Sequence, residues 1–326
     1  MSGWDARFVW RTFNLNWFPI AALGSGLLLA ILRTNFSLEP VAFGVTSAVA
    51  ICLALIAYAY AFLRADAADA KFVFWFGTTA QVILVTAIVG PLSYLANAAD
   101  WPLQDETLLM IDRAMGMDPE PIVVFVNDHR WLAKCLESGY GSIKWPLLGI
   151  PIILTMRGRL IRLQQFILAL NISLTATIVI SIFVPAIGTY YGLKLPPEGF
   201  PFVNTSIYAA QLHDILSLRD GSLRHLELFK LAGIVSFPSF HAASGLLYIW
   251  ALWPVRGFRY ITVAVYGLMI AATPVIGAHY MIDVIGGVIL AALSILLAKY
   301  CFRMLASGNA AGLGLKVMPQ LALGQS

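Results

Sequence analysis

Eight runs of apolar residues, most of them long enough to cross a bilayer, leave this chain few folds to adopt. A transmembrane helix needs about 20 such residues in a row. The runs occupy residues 17–32, 41–63, 72–96, 143–156, 163–187, 239–253, 260–276 and 280–301. Only 12% of the 326 residues are charged, about half the share of a soluble domain. The expected fold is therefore all-α, a polytopic membrane helical bundle of about eight spans. Gly90-Pro91 should kink or end the third run early. The fourth is short and is interrupted by Pro146 and Pro151. Arg7 and Arg11 precede the first run without a small-residue cleavage site, so that run is read as an uncleaved span.

The hydropathy breaks twice. Residues 100–137 are amphipathic. Leu108, Ile111 and Met115 share one helical face, and Ile122, Phe125, Val126, His129 and Leu132 share another. Asp112, Arg113, Asp128 and Arg130 lie elsewhere on those turns. This pattern predicts two interfacial helices joined near Asp118-Pro119. Residues 188–232 form a long polar connection. It opens on a rigid turn segment at 195–201, and a helix near 205–218 follows, stopped by Asp220-Gly221. No block of like charge suggests nucleic acid. Cys52, Cys135 and Cys301 are too scattered for a disulfide framework or a metal knuckle.

Lys and Arg in the short loops set the orientation. With the N-terminus inside, twelve basic residues fall on one side, among them Arg64, Lys71, Arg157, Arg159, Arg162, Arg256, Arg259, Lys299, Arg303 and Lys316. Only Asp5, Asp66 and Asp69 join them as acids. That side is expected to be cytosolic. The starts of the sixth and eighth runs then meet at the opposite, exoplasmic surface.

Those two starts carry the chemistry. One reads Ser236-Phe-Pro-Ser-Phe-His-Ala-Ala-Ser-Gly245, the other Gly277-Ala-His-Tyr-Met-Ile-Asp-Val-Ile-Gly-Gly287. Positions i and i+4 share a helical face, so Asp283 can hold the His279 ring. An aspartate in an apolar segment needs such a reason. An imidazole held at one nitrogen and free at the other suits phosphoryl transfer through a phosphohistidine, and His241 can serve as acid and base. Ser239, with Pro238 in the first helical turn, opens a helix whose N–H groups can meet a phosphate. His129, His213 and His225 read as structural. Ser244, Gly245, Gly286 and Gly287 read as packing positions.

Pro238-Ser-Phe-His241 resembles the Pro-Ser-Gly-His signature of the type 2 phosphatidic acid phosphatase superfamily. His279-Tyr-Met-Ile-Asp283 resembles the end of that superfamily's last motif. The longer forms, Phe-Pro-Ser-Phe-His and His-Tyr-x-x-Asp-x-x-Gly-Gly, are closest to the branch that contains fungal inositol phosphorylceramide synthase and its bacterial relatives. The resemblance implies His279 as nucleophile, Asp283 as its orienter, His241 as acid/base, a core made of the last six spans, and no metal or other cofactor. Phe240 stands where the pattern has Gly, and Thr273 where it has Arg. The upstream Lys-x6-Arg-Pro motif is missing, so Lys144 and Arg219 are the cations expected to meet phosphate, with Arg224 and Lys230 as lesser candidates.

The expected organisation is N-terminal spans in 1–98, interfacial helices in 99–140, a catalytic core in 141–303 that carries the loop 188–232, and a loosely ordered tail in 304–326. The expected activity is that of an integral-membrane lipid phosphohydrolase or phosphotransferase in a bacterial inner membrane. Its donor would be a phospholipid or polyprenyl phosphate, and its acceptor water or an alcohol such as inositol or a lipid alcohol. Two alternatives stay open: a lipid-phosphate transporter with a His-Asp proton relay, and a zinc hydrolase using His241, His279 and Asp283.

Overall fold

The computed structural model describes residues 3–63, 70–196 and 199–312. The end of the expected tail, Lys316 and the loop charges Arg64, Asp66 and Asp69 lie outside the described residues, as do Pro197 and Glu198. The described residues are 78% helical. Among them the only strands, β1 (Ser37–Leu38) and β2 (His225–Leu226), pair in parallel over two residues.

Helices α1 (Gly3–Leu15) and α2 (Trp17–Arg33) follow one another across Asn16 and form one apolar stretch from Arg7 to Arg33. Helix α3 (Pro40–Leu63) starts where the Glu39 carboxylate accepts from the N–H groups of Val41 and Ala42, at 2.8 and 2.6 Å. It packs on α4 (Ala70–Asn97) and turns most of its apolar surface outward. A bilayer makes this arrangement stable, because lipid accepts what water would reject.

Three short helices then lie at one end of the bundle: α5 (Asp105–Ala114), α6 (Pro119–Asp128) and α7 (Arg130–Tyr140). A 3-10 turn at Gly141–Lys144 leads into α8 (Trp145–Met156). Helix α9 (Leu160–Phe183) crosses the centre of the bundle. The long connection contains α10 (Thr189–Gly192) and α11 (Ser206–Arg219). Helices α12 (Phe240–Leu252), α13 (Arg259–Ile276) and α14 (Met281–Gly312) complete the chain. Helices α4, α8, α9, α12, α13 and α14 pack on one another, with α3 against α4 and α7 against α13.

Among the described residues six helices are long and apolar enough to span a membrane. The expected eight therefore become six long helices and two short ones. Helix α8 has 12 residues and α12 has 13. At 1.5 Å per residue each is about 20 Å long, short of the ~30 Å hydrocarbon core. Pro91 does not end α4, which continues to Asn97. The Ser93 hydroxyl donates to the Gly90 carbonyl at 2.6 Å, and helices pack on several sides of the segment. Polar side chains tie the helices inside the apolar layer. Asn16 Nδ2 donates to Gln164 Oε1 at 2.9 Å, and Gln81 Nε2 donates to the Phe13 carbonyl at 3.0 Å.

The interfacial region departs from expectation in number and in facing. There are three helices, because the chain breaks a second time at His129, the residue shared by the end of α6 and the start of α7. Asp118 caps α6 by accepting from Glu120 N–H, with Pro119 beginning the helix. In α5 the buried face is Asp105, Leu108, Leu109 and Asp112, while Ile111 and Met115 point outward. Outward here need not mean toward water, so apolar residues alone did not mark the inner face.

Candidate active site

The connections between α2 and α3, α4 and α8, α9 and α12, and α13 and α14 gather at one end of the bundle. Ser37 Oγ meets His225 Nδ1 at 2.9 Å, and Arg219 pairs with Asp100 at 3.0 Å. Tyr94 at the end of α4 donates to Asp214 Oδ2 at 2.5 Å. Under these contacts the two histidine segments come together.

Ser239 sits at the N-cap of α12, where its extended backbone lets Oγ accept from Ala242 N–H at 3.4 Å. Pro238 lies one residue before the cap rather than in the first helical turn. The N–H groups of Phe240 and His241, in that first turn, have no partner among the described residues. Their amides and the positive end of the helix dipole face the site. Phe240 supplies an N–H as a glycine would, so its side chain does not remove the anion-binding end.

The second segment arrives from α13 through a tight turn. Ala278 has a left-handed backbone, and its carbonyl accepts from Thr189 N–H at 2.7 Å. His279 follows, buried, with Nδ1 3.3 Å from Asp283 Oδ2 and Nε2 3.5 Å from Ser239 Oγ. The same Asp283 oxygen accepts from Ser236 Oγ at 2.7 Å and from Tyr280 N–H at 3.0 Å. Its other oxygen, Oδ1, is buried without a partner. The Asp283 carbonyl accepts from Ser239 N–H at 3.0 Å, which joins the two segments directly. A Cβ at Gly287 would lie 2.2 Å from the Ser239 carbonyl oxygen, so close approach of α12 and α14 requires glycine there. The packing expectation for Gly286 and Gly287 is met in this way.

His241 lies beside this pair, its ring centroid 6.4 Å from that of His279. Tyr140, at the end of α7, stacks on it at 3.9 Å with an interplanar angle of 12°, and the tyrosine oxygen is 3.2 Å from His241 Nδ1. His241 Nε2 makes no hydrogen bond among the described residues. Gly277 makes room for this stack: a Cβ there would come within 2.6 Å of the Tyr140 ring.

Two carboxylates from α5 brace the His279 segment. Asp112 accepts from Met281 N–H at 2.7 Å and from Ile282 N–H at 2.8 Å, capping α14 from another helix. Asp105 accepts from Gly188 N–H at 2.8 Å and from the Tyr280 hydroxyl at 2.9 Å, with Ile187 N–H at 3.1 Å. Burial pushes both carboxyls above their ordinary range, opposed in each case by the backbone donors. Burial, then the neighbouring Asp105, pushes Tyr280 far above the ordinary phenol value, so it remains a neutral donor. A cavity of about 350 Å3 lies behind this brace, lined in part by Asp105, Tyr191 and Tyr208. Neither His241 nor His279 lines it.

The expected site residues thus separate into two groups. His241, His279, Asp283 and Ser239 converge. Arg219 and Lys144 do not hydrogen-bond to any of them. The Arg219 guanidinium is held by Asp100 and by the Trp101 carbonyl at 2.8 Å. Lys144 is exposed, four residues beyond Tyr140. Arg224 donates to backbone carbonyls and lies over Phe36, and Lys230 pairs with Glu227. Thr273, at the position of the family's arginine, is buried and bonds its own helix at Met269. Tyr140, Ser236, Asp105 and Asp112 were not anticipated as site residues. Among the described residues no three His, Cys, Asp or Glu side chains are grouped so as to hold one metal ion.

Searches of curated proteins and of solved structures returned no match. A model of the PAP2 superfamily matches residues 106–297, from α5 into α14. That span is more than half of the chain and contains both histidine segments, Tyr140 and Asp112. The chain is therefore an integral membrane protein of the PAP2 superfamily.

Proposed function

We propose that the protein is a membrane lipid phosphohydrolase or phosphotransferase that works through a phosphohistidine on His279. The observation that carries this reading is the orientation of the His279 ring. Nδ1 is turned to Asp283, and Nε2 is turned to Ser239 and the N-terminus of α12. A phosphate at that helix end would meet the N–H groups of Phe240 and His241 with Nε2 beside it.

Nε2 attacks phosphorus, and the bond from phosphorus to the leaving oxygen breaks. His241 Nε2 gives a proton to that oxygen. Water or an alcohol then loses its proton to His241 and attacks phosphorus, and the bond to His279 breaks. Asp283 holds the ring and offsets the positive charge that develops on it. Of the cations expected to meet the phosphate, we propose Lys144, which extends the helical path from Tyr140 and forms no salt bridge among the described residues. Arg219, already held by Asp100, acts instead as a tie between α11 and the connection after α4.

The donor in this reading is a phospholipid or polyprenyl phosphate, admitted from the exoplasmic leaflet beneath α5, α6, α7 and the 188–232 connection. Ser236-Phe-Pro-Ser-Phe-His241 and the glycine pair after Asp283 favour the inositol phosphorylceramide synthase-like branch. The cover over His279 favours a bound alcohol acceptor over water. The test is product analysis with labelled phospholipids and polyprenyl phosphates at rising inositol, glycerol and lipid-alcohol concentration. A phosphorylated acceptor that grows at the expense of the hydrolysis product supports transfer. Hydrolysis products alone at millimolar acceptor would leave a phosphatase, and no turnover of any lipid phosphate would reject the whole reading.

A further inference from the structure

The opposite end of the same helices holds a second charged cluster that phosphoryl chemistry does not use. From His241 to Trp250 along α12 is about 13 Å, and from Asp283 to Lys299 along α14 about 24 Å. At that end Arg162, on α9, lays its guanidinium 3.7 Å over the Trp250 ring and donates to the Trp250 carbonyl. Lys299 approaches the same ring at 5.7 Å. Lys299 is also within electrostatic reach of Arg162 and of Arg303, one turn further along α14.

These cations differ from several at the histidine end. There Arg113 pairs with Asp118, Arg219 with Asp100 and Lys230 with Glu227. Among the described residues no carboxylate forms a salt bridge with Arg162, Lys299 or Arg303. Arg162 Nε is buried with no hydrogen-bond partner. Like charges crowded around one ring repel, and a buried donor left unpaired is unfavourable. A single anion placed beside the cations relieves the repulsion. The surroundings say what kind of anion. Leu296, Leu297 and Met304 on α14 are exposed and apolar, so the cluster borders the surface that faces lipid tails. Cations beside a tryptophan at the end of spanning helices suit a phospholipid head group.

We propose that Arg162 and Lys299 at Trp250, with Arg303 one turn further along α14, bind the phosphate of an anionic phospholipid in the leaflet opposite the histidine pair. The planar Arg162 guanidinium is fixed by the ring and the carbonyl, and Lys299 and Arg303 supply charge from α14. The site joins α9, α12 and α14 at one end, while the histidine segments join α12 and α14 at the other.

The test is a native mass-spectrometric titration of delipidated protein with dioleoylphosphatidylglycerol, with dioleoylphosphatidylcholine and with inorganic phosphate. The wild type should bind the phosphatidylglycerol at least tenfold more tightly than the phosphatidylcholine. Lys299→Gln/Arg303→Gln should lose about thirtyfold in that affinity, roughly fivefold for each cation. Lipid held at the histidine end is unaffected by this change, so the difference reports the proposed site alone. Equal affinity for the two lipids, an unchanged double variant, or inorganic phosphate binding as tightly as phosphatidylglycerol would each overturn the assignment. If the double variant does not fold, the wild type decides. Its preference for phosphatidylglycerol should fall when salt rises from about 0.05 to 0.5 M, and a preference that does not move refutes the site.

Discussion

Replacing Asp112 tests whether the interfacial helix α5 governs the geometry of the nucleophile. Its carboxylate is fully buried and accepts from the N–H groups of Met281 and Ile282, one from each oxygen. Hydrogen bonds to a charged group contribute about 1.5–3 kcal/mol each. Asp112→Asn keeps one acceptor and sets an amide N–H against the second donor, so it should destabilise the fold by about 2 kcal/mol. Asp112→Ala leaves two buried N–H groups unpaired and should cost about 3–4 kcal/mol. The effect on turnover should exceed what the lost stability explains. The first turn of α14 carries Asp283, which holds His279, and a shift of about 1 Å in a reacting group can cost 100-fold in rate. Thermal unfolding in detergent reads the first quantity. Turnover measured well below the unfolding midpoint reads the second. If Asp112→Asn unfolds with the wild type and turns over at the wild-type rate, the bracing role assigned to α5 is wrong.

Further expectations follow from the site and from the topology. His241→Ala should lose least with a p-nitrophenyl leaving group, which needs little protonation; equal losses on activated and natural substrates would show that His241 binds rather than donates a proton. Tyr140→Phe keeps the stack on His241 and loses the contact at Nδ1, so the pH-rate profile should move while the unfolding midpoint stays. Burial raises the Asp105 and Asp112 carboxyls, with Asp283 nearby raising both and Asp118 also raising Asp112. A raised carboxyl favours the fold when protonated. That contribution is fully present below the ordinary value of 3.8 and is lost as pH rises through the raised value. Asp105→Asn should therefore flatten the fall in stability above pH 4 relative to the wild type, and an unchanged slope would contradict the assignment. In a background lacking Cys52, Cys135 and Cys301, cysteines at Ser222 and Lys230 should react with an impermeant thiol reagent in intact cells, and those at Arg157 and Arg256 should not. The reverse pattern would place the histidines on the cytosolic side.

The parts of the fold that the sequence announced are those with strong local signals. Apolar runs marked the starts of α2, α3, α4, α9, α13 and α14 to within three residues, although α14 continues to Gly312 through the first part of the expected loose tail, and Asp118-Pro119 marked the start of α6 by the chemistry of an N-cap followed by proline. His279 and Asp283 were legible because their spacing is that of one helical turn. Ser239 was legible because a cap residue before an apolar run opens a helix. The failures share one cause. Facing is inferred from which residues avoid water, and this chain sits in a solvent that does not repel them. Asp112 looked like a solvated residue beside Leu108, Ile111 and Met115, yet it is Asp112 that is buried and Ile111 that is exposed. Tyr140 and Asp105 meet their partners across 101 and 175 residues of chain, at His241 and Tyr280, and no local pattern encodes contacts of that range. Gly277 held a trace of one of them, since its missing side chain is the space that the Tyr140 ring occupies.

The central claim is that phosphorus becomes bonded to His279. Purified protein mixed with a lipid phosphate labelled at phosphorus, and stopped in alkali within one turnover, tests it most directly. A phosphohistidine survives alkali and is lost in acid. The account predicts protein-bound label that resists alkali, disappears on acidification, maps to the peptide containing His279 and is absent from His279→Ala. Label that persists in His279→Ala, or that survives acid on the peptide containing Ser239, would contradict it.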